Sequence, residues 1–215
     1  KDLIHSILYS QEADDFKKTE PVLDDFAYWA ESLLHLACYS EIVRMQSSQQ
    51  FVEDAESIIE QCSRFFSDEQ KAGYFFSASN SKCPPPVRKK FWYDNSSPSG
   101  NSSLVRVFSL LHQHTKKEKW KNAYFQARSG YSNIVKKNPE GIAHALTSIS
   151  ETTIGIPTLL VSESILQEAF KKLGDTPHRP ILLKLTQNGD PCILELGYTQ
   201  YKMNSISEAF ETLFA

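Results

Sequence analysis

A mainly helical fold, built of helical hairpins in two concentric layers and followed by a small α/β segment, is what this sequence predicts. The expectation rests first on alternation: segments apolar nearly all round are followed by segments apolar on one face only, twice in succession. A helix of the first kind is enclosed on most sides and one of the second kind covers it from outside, so each pair reads as a hairpin spanning two layers. It rests secondly on a change of pattern beyond about residue 150, where short β-branched and leucine-rich runs replace helical spacing.

The first enclosed segment runs from Pro21 to Glu41. Leu23, Phe26, Ala27, Ala30, Leu33, Leu34 and Ala37 form its main stripe, and Tyr28, Trp29 and Leu36 make its other sides apolar as well. Its partner, "FVEDAESIIEQCSRFF", sets Phe51, Ala55, Ile58, Ile59, Cys62, Phe65 and Phe66 against Glu53, Asp54, Glu56, Glu60 and Arg64. The second enclosed segment is "SSLVRVFSLLHQH", and its partner "KWKNAYFQARSGYSNIVKK" carries Trp120, Ala123, Tyr124, Ala127, Tyr131, Ile134 and Val135 opposite lysines. Between the pairs, "GYFF" has the composition of a short strand, while Pro84, Pro85 and Pro86 forbid a helix. A further helix is expected in "PEGIAHALTSI", with Pro139 in its first turn.

In the tail, "GIPTLLVS" reads as a strand and "ESILQEAFKKLG" as a helix closed by Gly174. "RPILLKLTQNGDPCILELGY" reads as two strands joined through an Asn188-Gly189 turn. "SISEAFETLF" reads as a last helix, with Ser205 or Ser207 as its cap. The organisation expected is therefore helical hairpins over 1–150 and an α/β tail over 151–215.

At 215 residues, with 40% apolar and 23% charged residues, the chain has the make-up of a globular protein able to bury a sizeable core. A formal charge of −3 supplies no basic footprint, which argues against nucleic acid and anionic membrane as partners. Cys38, Cys62, Cys83 and Cys192 form no CxxC and no Cys/His pair at metal spacing, so they read as reduced thiols of a cytoplasmic protein. No apolar run reaches the roughly 18 residues of a membrane span. Neither a Gly-x-Ser-x-Gly elbow nor a Walker loop occurs, and His112 and His114, two apart on a helix, share no face and find no partner for a metal set, so no cofactor and no metal are expected.

The stretches "LDDFAYWAESLLHL", "GYFFSA", "PPVRKK" and "YDNSSPSGNSS" occur in an order and at a spacing that resemble one family. Its members are thioredoxin-domain-containing proteins whose animal representatives are called spermatogenesis-associated. The resemblance covers most of residues 20 to 150 and continues more weakly, in hydrophobic pattern, to the end. It implies that the hairpins are part of an α/α toroid of the six-hairpin glycosidase-like type, also found in sugar 2-epimerases, with a small α/β segment after it. It also implies that this chain is the C-terminal part of a longer protein whose thioredoxin-like domain lies upstream. Phe26 stands where the family usually has Tyr, Ala72 where it has Gly, and Asn95-Ser96 where it has Gly-Ala.

In such a toroid one end of the inner helices surrounds a central cavity, which makes Asp24 and Asp25 candidate catalytic carboxylates. The plainer reading is that they cap their helix and favour its positive end. Adjacent helical residues diverge by about 100°, so both cannot face one cavity equally. Asp94, Ser99, Asn101 and Ser102 are candidate ligand contacts at a helix start, or else a turn with Asn101 or Ser102 as cap. Arg88 would clamp an anion or pair with Asp94. Trp92 and Tyr93, on an apparent loop, are candidate stacking surfaces for sugar rings, whereas Tyr28 and Trp29 read as core. His35 and His144 read as packing residues.

The function expected from the resemblance is carbohydrate binding or conversion, of epimerase or glycosidase-like kind, with a sugar as ligand. The alternative is a non-catalytic helical module that supports the thioredoxin-like domain. In both readings a partial toroid exposes apolar surface, so self-association or a tight partner, such as the rest of its own chain, is expected.

Overall fold

The computed structural model describes residues 20–39, 48–154, 157–174, 181–186, 192–196 and 199–214. Five helices make up the first part: α1 (Leu23–Tyr39), α2 (Ser48–Phe66), α3 (Gly100–Thr115), α4 (Glu118–Ser129) and α5 (Ala143–Ile154). The last is preceded by a 3₁₀ turn over Glu140–Ile142, so Pro139 stands just before the helical residues rather than inside the first turn of α5.

The helices form two layers of opposite direction. Asp24 touches Gly100, Glu31 touches Arg106 and Cys38 touches His114, so α1 and α3 run parallel. Arg106 with Glu151 and Ser109 with Thr152 give α5 the same direction. Against these lie α2 and α4, each reversed: Phe26 packs on Phe66 at the far end of α2, and Phe108 stacks on Trp120 at the start of α4. Glu56 of α2 accepts from Trp120 Nε1 and from Lys117, which joins the second layer at its surface.

One apolar core fills the space between the layers. Leu34, Ile58, Ile59, Leu104, Phe108, Leu111 and Ile142 are fully enclosed there. This explains the alternation in the sequence, because α3 is buried along nearly its whole length whereas α2 and α4 each present one face to solvent. α4 stops at Ser129, earlier than its periodicity suggests, and the following residues to Lys137 continue as turns. Tyr131 from those turns is nevertheless 1% exposed, so the apolar period persists where the helix does not.

Residues 67–99 cross the N-terminal ends of α1, α3 and α5 with little regular structure. Tyr74 makes only an isolated bridge to Ser67, so the aromatic run is not a strand. What holds this segment is hydrogen bonding to fixed points: Leu23 N–H to Phe76 O, Phe76 N–H to Lys89 O, and Ser79 N–H to Phe65 O. Gly73 has φ +85°, and a side chain there or at Gly130 would run into the Trp92 indole. The indole is thus wedged between two glycines and stands edge-on to Tyr131.

The tail holds β1 (Thr158–Val161), α6 (Leu166–Gly174), β2 (Leu182–Leu185), β3 (Cys192–Leu196), β4 (Thr199–Met203) and α7 (Ile206–Phe214). Its sheet has the order β2-β1-β3-β4. β2 pairs parallel to β1 and β3 antiparallel to it, with Val161 opposite both Leu185 and Cys192. The expected pairing of β2 with β3 is therefore replaced, since β1 lies between them; Asn188 and Gly189 fall outside the described residues. β4, which the sequence pattern does not predict, adds antiparallel to β3. Leu159, Val161, Leu183 and Leu194 share one face and pack with Ala169 of α6 and Ala209 and Phe210 of α7. α7 is capped by Ser205, whose Oγ accepts from Glu208 N–H, while Glu208 accepts from Asn204 N–H.

Candidate functional site

Parallel helices bring their N-terminal ends to one place, and here those ends are knitted together by carboxylates. Ser99 caps α3 with extended backbone, its Oγ accepting from Ser102 N–H at 3.2 Å. The cap is thus two or three residues earlier than Asn101 or Ser102, which lie inside the first turn. The helix starts early because the Gly100 N–H has its own acceptor, Asp24 Oδ1 at 2.9 Å, supplied by the neighbouring helix.

Asp94 is the hub. Its Oδ1 accepts from Ser99 N–H at 2.8 Å and Ser102 Oγ at 2.6 Å, and its Oδ2 accepts from His144 N–H at 3.0 Å. One side chain therefore satisfies donors at the start of both α3 and α5. Asn101, 2% exposed, is a second clamp: its Oδ1 accepts from Tyr74 N–H and its Nδ2 donates to Tyr74 O and Phe91 O.

Asp24 and Asp25 take different roles, as their angular separation requires. Asp25 accepts from Val22 N–H at 2.8 Å and so caps its own helix. Asp24 reaches across to α3, and burial, with Asp25 adding to it against the Gly100 hydrogen bond, holds its pKa above the usual carboxylate range. Ionising Asp24 as pH rises through its folded pKa therefore costs native stability. Asp24→Asn keeps an oxygen for Gly100, and is expected to raise the thermal midpoint by about 1–2 °C at pH 7. The gain should fade towards pH 3, where the wild-type carboxyl is protonated too. Calorimetry across that range that shows a lowered midpoint at pH 7 would contradict the assignment.

Below this rim lies a cluster that the sequence reading did not single out. Glu31 Oε1 is 3.4 Å from Arg106 Nη1, 3.1 Å from His144 Nε2 and 3.8 Å from His35 Nε2. Arg106 Nη2 holds Glu151 Oε1 at 2.7 Å. Burial works to raise the Glu31 pKa, but His144, His35 and the Ser103 hydroxyl outweigh it, and the net shift is well downward. For Glu151 burial prevails over the pull of Arg106 and the histidines, and its pKa is raised. Tyr28, between the rim and the cluster, donates to Pro98 O, and its own pKa is raised by burial and by the charges of Asp24, Asp94 and Glu31. The signal that could have found this cluster is the polar stripe Asp24, Tyr28, Glu31, His35 on an otherwise apolar helix.

The remaining candidates lie apart from these groups or inside the protein. Arg88 makes no pair with Asp94; its Nε and Nη2 donate to Ser77 O, Nη2 also to Phe65 O, and its guanidinium lies 4.2 Å from the Phe75 ring centre. Trp92 is packed against Tyr131, while Tyr93 stays 46% exposed beside Gly141. Asn101 and Ser102 are buried and engaged. Among the described residues no group of three His, Cys, Asp or Glu side chains is placed to hold a metal ion, and no helix is long and apolar enough to cross a membrane.

No family model matches the chain, and no curated protein matches it.

Proposed function

We propose that the face shared by Asp24, Tyr28, Glu31 and His144 binds a carbohydrate, or converts one by acid–base chemistry. The observation that carries this reading is geometric: two carboxylates on one face of α1, Asp24 on the Gly100 N–H and Glu31 between Arg106 and His144, in surroundings that shift Asp24 upward and Glu31 downward. A carboxyl that keeps its proton more readily suits a general acid, and one held firmly as the anion suits an electrostatic stabiliser rather than a base. The parallel direction of α1, α3 and α5, backed by reversed α2 and α4, is the arrangement an α/α toroid would need. In this reading the chain is the C-terminal part of such a toroid in a thioredoxin-domain-containing protein of the spermatogenesis-associated family. It works in a reducing, cytoplasmic setting.

Thermal unfolding in the presence of a panel of mono- and disaccharides tests the proposal. At least one sugar should raise the midpoint, and the rise should be lost in Asp24→Asn and Glu31→Gln. A flat response of the wild type to the whole panel would sink the reading.

A second reading, a non-catalytic module that supports a thioredoxin-like domain, is favoured by Val87, Phe91 and Tyr93, which are 68%, 48% and 46% exposed on one connecting segment. Such a surface suits a partner or a second copy of the chain. Size-exclusion chromatography over a range of concentrations should then show association, and a monomer throughout would remove this reading.

A further inference from the structure

The opposite end of the helical layer, away from Asp24 and Asp94, carries chemistry that the carbohydrate reading does not use. Because α1 and α3 run parallel, their last turns lie side by side, and Cys38 Sγ stands 3.7 Å from His114 Nε2. Sulfur is large, so a thiol–imidazole hydrogen bond is longer than one between nitrogen and oxygen, and this distance is within its reach.

The four thiols are not equivalent. Cys62 and Cys192 are buried, and burial pushes both upward, which keeps them protonated and inert. Cys83 is exposed and Cys38 only partly so. Exposure alone therefore ranks Cys83 first to react with a reagent in solution. The partner of Cys38 reverses that ranking.

A thiol reacts through its thiolate, and a neighbouring imidazolium favours the thiolate. His114 lies in the last turn of α3, where unsatisfied carbonyls favour a cation, and it is exposed, so it takes up a proton with little desolvation. Cys38 is the last residue but one of α1, whose own last turn holds no basic residue. The negative end of that helix disfavours a bare thiolate. The sulfur therefore relies on the neighbouring helix: moving its proton to Nε2 gives a thiolate–imidazolium pair across the two helix ends.

We propose that Cys38 is a reversible modification site for small disulfides of the glutathione disulfide type, with His114 positioned to hold the thiol proton. The Cys38 thiolate attacks one sulfur of the disulfide. A new S–S bond forms as the old one breaks, and the departing small thiolate takes up the proton that the imidazolium held. The products are a mixed disulfide on Cys38 and one free small thiol, so the disulfide itself is the oxidant. Excess small thiol runs the same exchange backwards.

The test exposes the folded chain to excess glutathione disulfide at pH 7 and follows Cys38 and Cys83 separately by peptide mass mapping. Cys38 should be modified about 5-fold faster than Cys83; the gain is modest because a more stable thiolate is also a weaker nucleophile. His114→Gln should slow Cys38 by about 5-fold or more and leave Cys83 unchanged. His114→Lys, which restores a positive charge, should bring Cys38 back above the Gln variant. Thermal midpoints verify that both variants are folded, and if they are not, the wild-type ranking decides alone. Cys83 reacting faster than Cys38 in the wild type would overturn the proposal. So would a Cys38 rate indifferent to His114→Gln, or one that His114→Lys does not raise above the Gln variant.

Discussion

Asp94→Ala is expected to lower the stability of the helical part by about 4 kcal/mol, because three donors lose one charged acceptor together. Ser99 N–H, Ser102 Oγ–H and His144 N–H all converge on Asp94. Two of them are backbone groups at helix starts, which have no intrahelical partner to fall back on. Asp94→Asn should be only partly better, since its amide nitrogen would face a donor on one side. Urea unfolding measures the total loss. Amide hydrogen exchange gives the local signature: the Ser99 and His144 amides should lose protection before the centres of α3 and α5 do. A variant within about 1 kcal/mol of wild type would show that Asp94 is not the joint between these helices.

Arg106→Met removes the guanidinium that bridges Glu31 and Glu151 and should cost about 3–5 kcal/mol at neutral pH. The pH dependence identifies the cause. Glu31 in the wild type is depressed, so its contribution is present above its unfolded pKa and lost as pH falls through its folded one. Glu151 is raised, so it opposes folding once pH rises through its folded pKa. Without Arg106 both carboxylates titrate upward, and the deficit of the variant should shrink as pH is lowered from 7 towards 5. Adding Glu31→Gln and Glu151→Gln to Arg106→Met should recover most of the loss at pH 7. A deficit independent of pH would mean that the side chain acts through packing of its stem rather than charge.

The hairpins were readable because α1 and α3 are enclosed on most sides while α2 and α4 are not, and burial of that kind is written directly in residue type. The start of α3 was readable as a cap, though the capping residue was displaced to Ser99. Which residue caps depended on Asp24, and that partner is remote in sequence. The same remoteness hid Glu31, Arg106 and Glu151, each an ordinary charged residue on its own helix that acquires meaning only through the others. Asp94 was among the candidates, but its position as a joint between two helices was not visible, because one of its partners is the backbone of His144. In the tail, the Asn188-Gly189 pair is a local hairpin signal, whereas the competing neighbour of both strands, β1, is a distant one.

The strand order also bears on how the tail is made. β1, one of the two inner strands, is the first of the four to leave the ribosome. β2 follows and pairs with one of its edges, β3 with the other, and β4 then pairs with β3. Each strand after β1 therefore meets a template already synthesised. Vectorial growth of this kind keeps short the time during which an open sheet edge is available to another nascent chain.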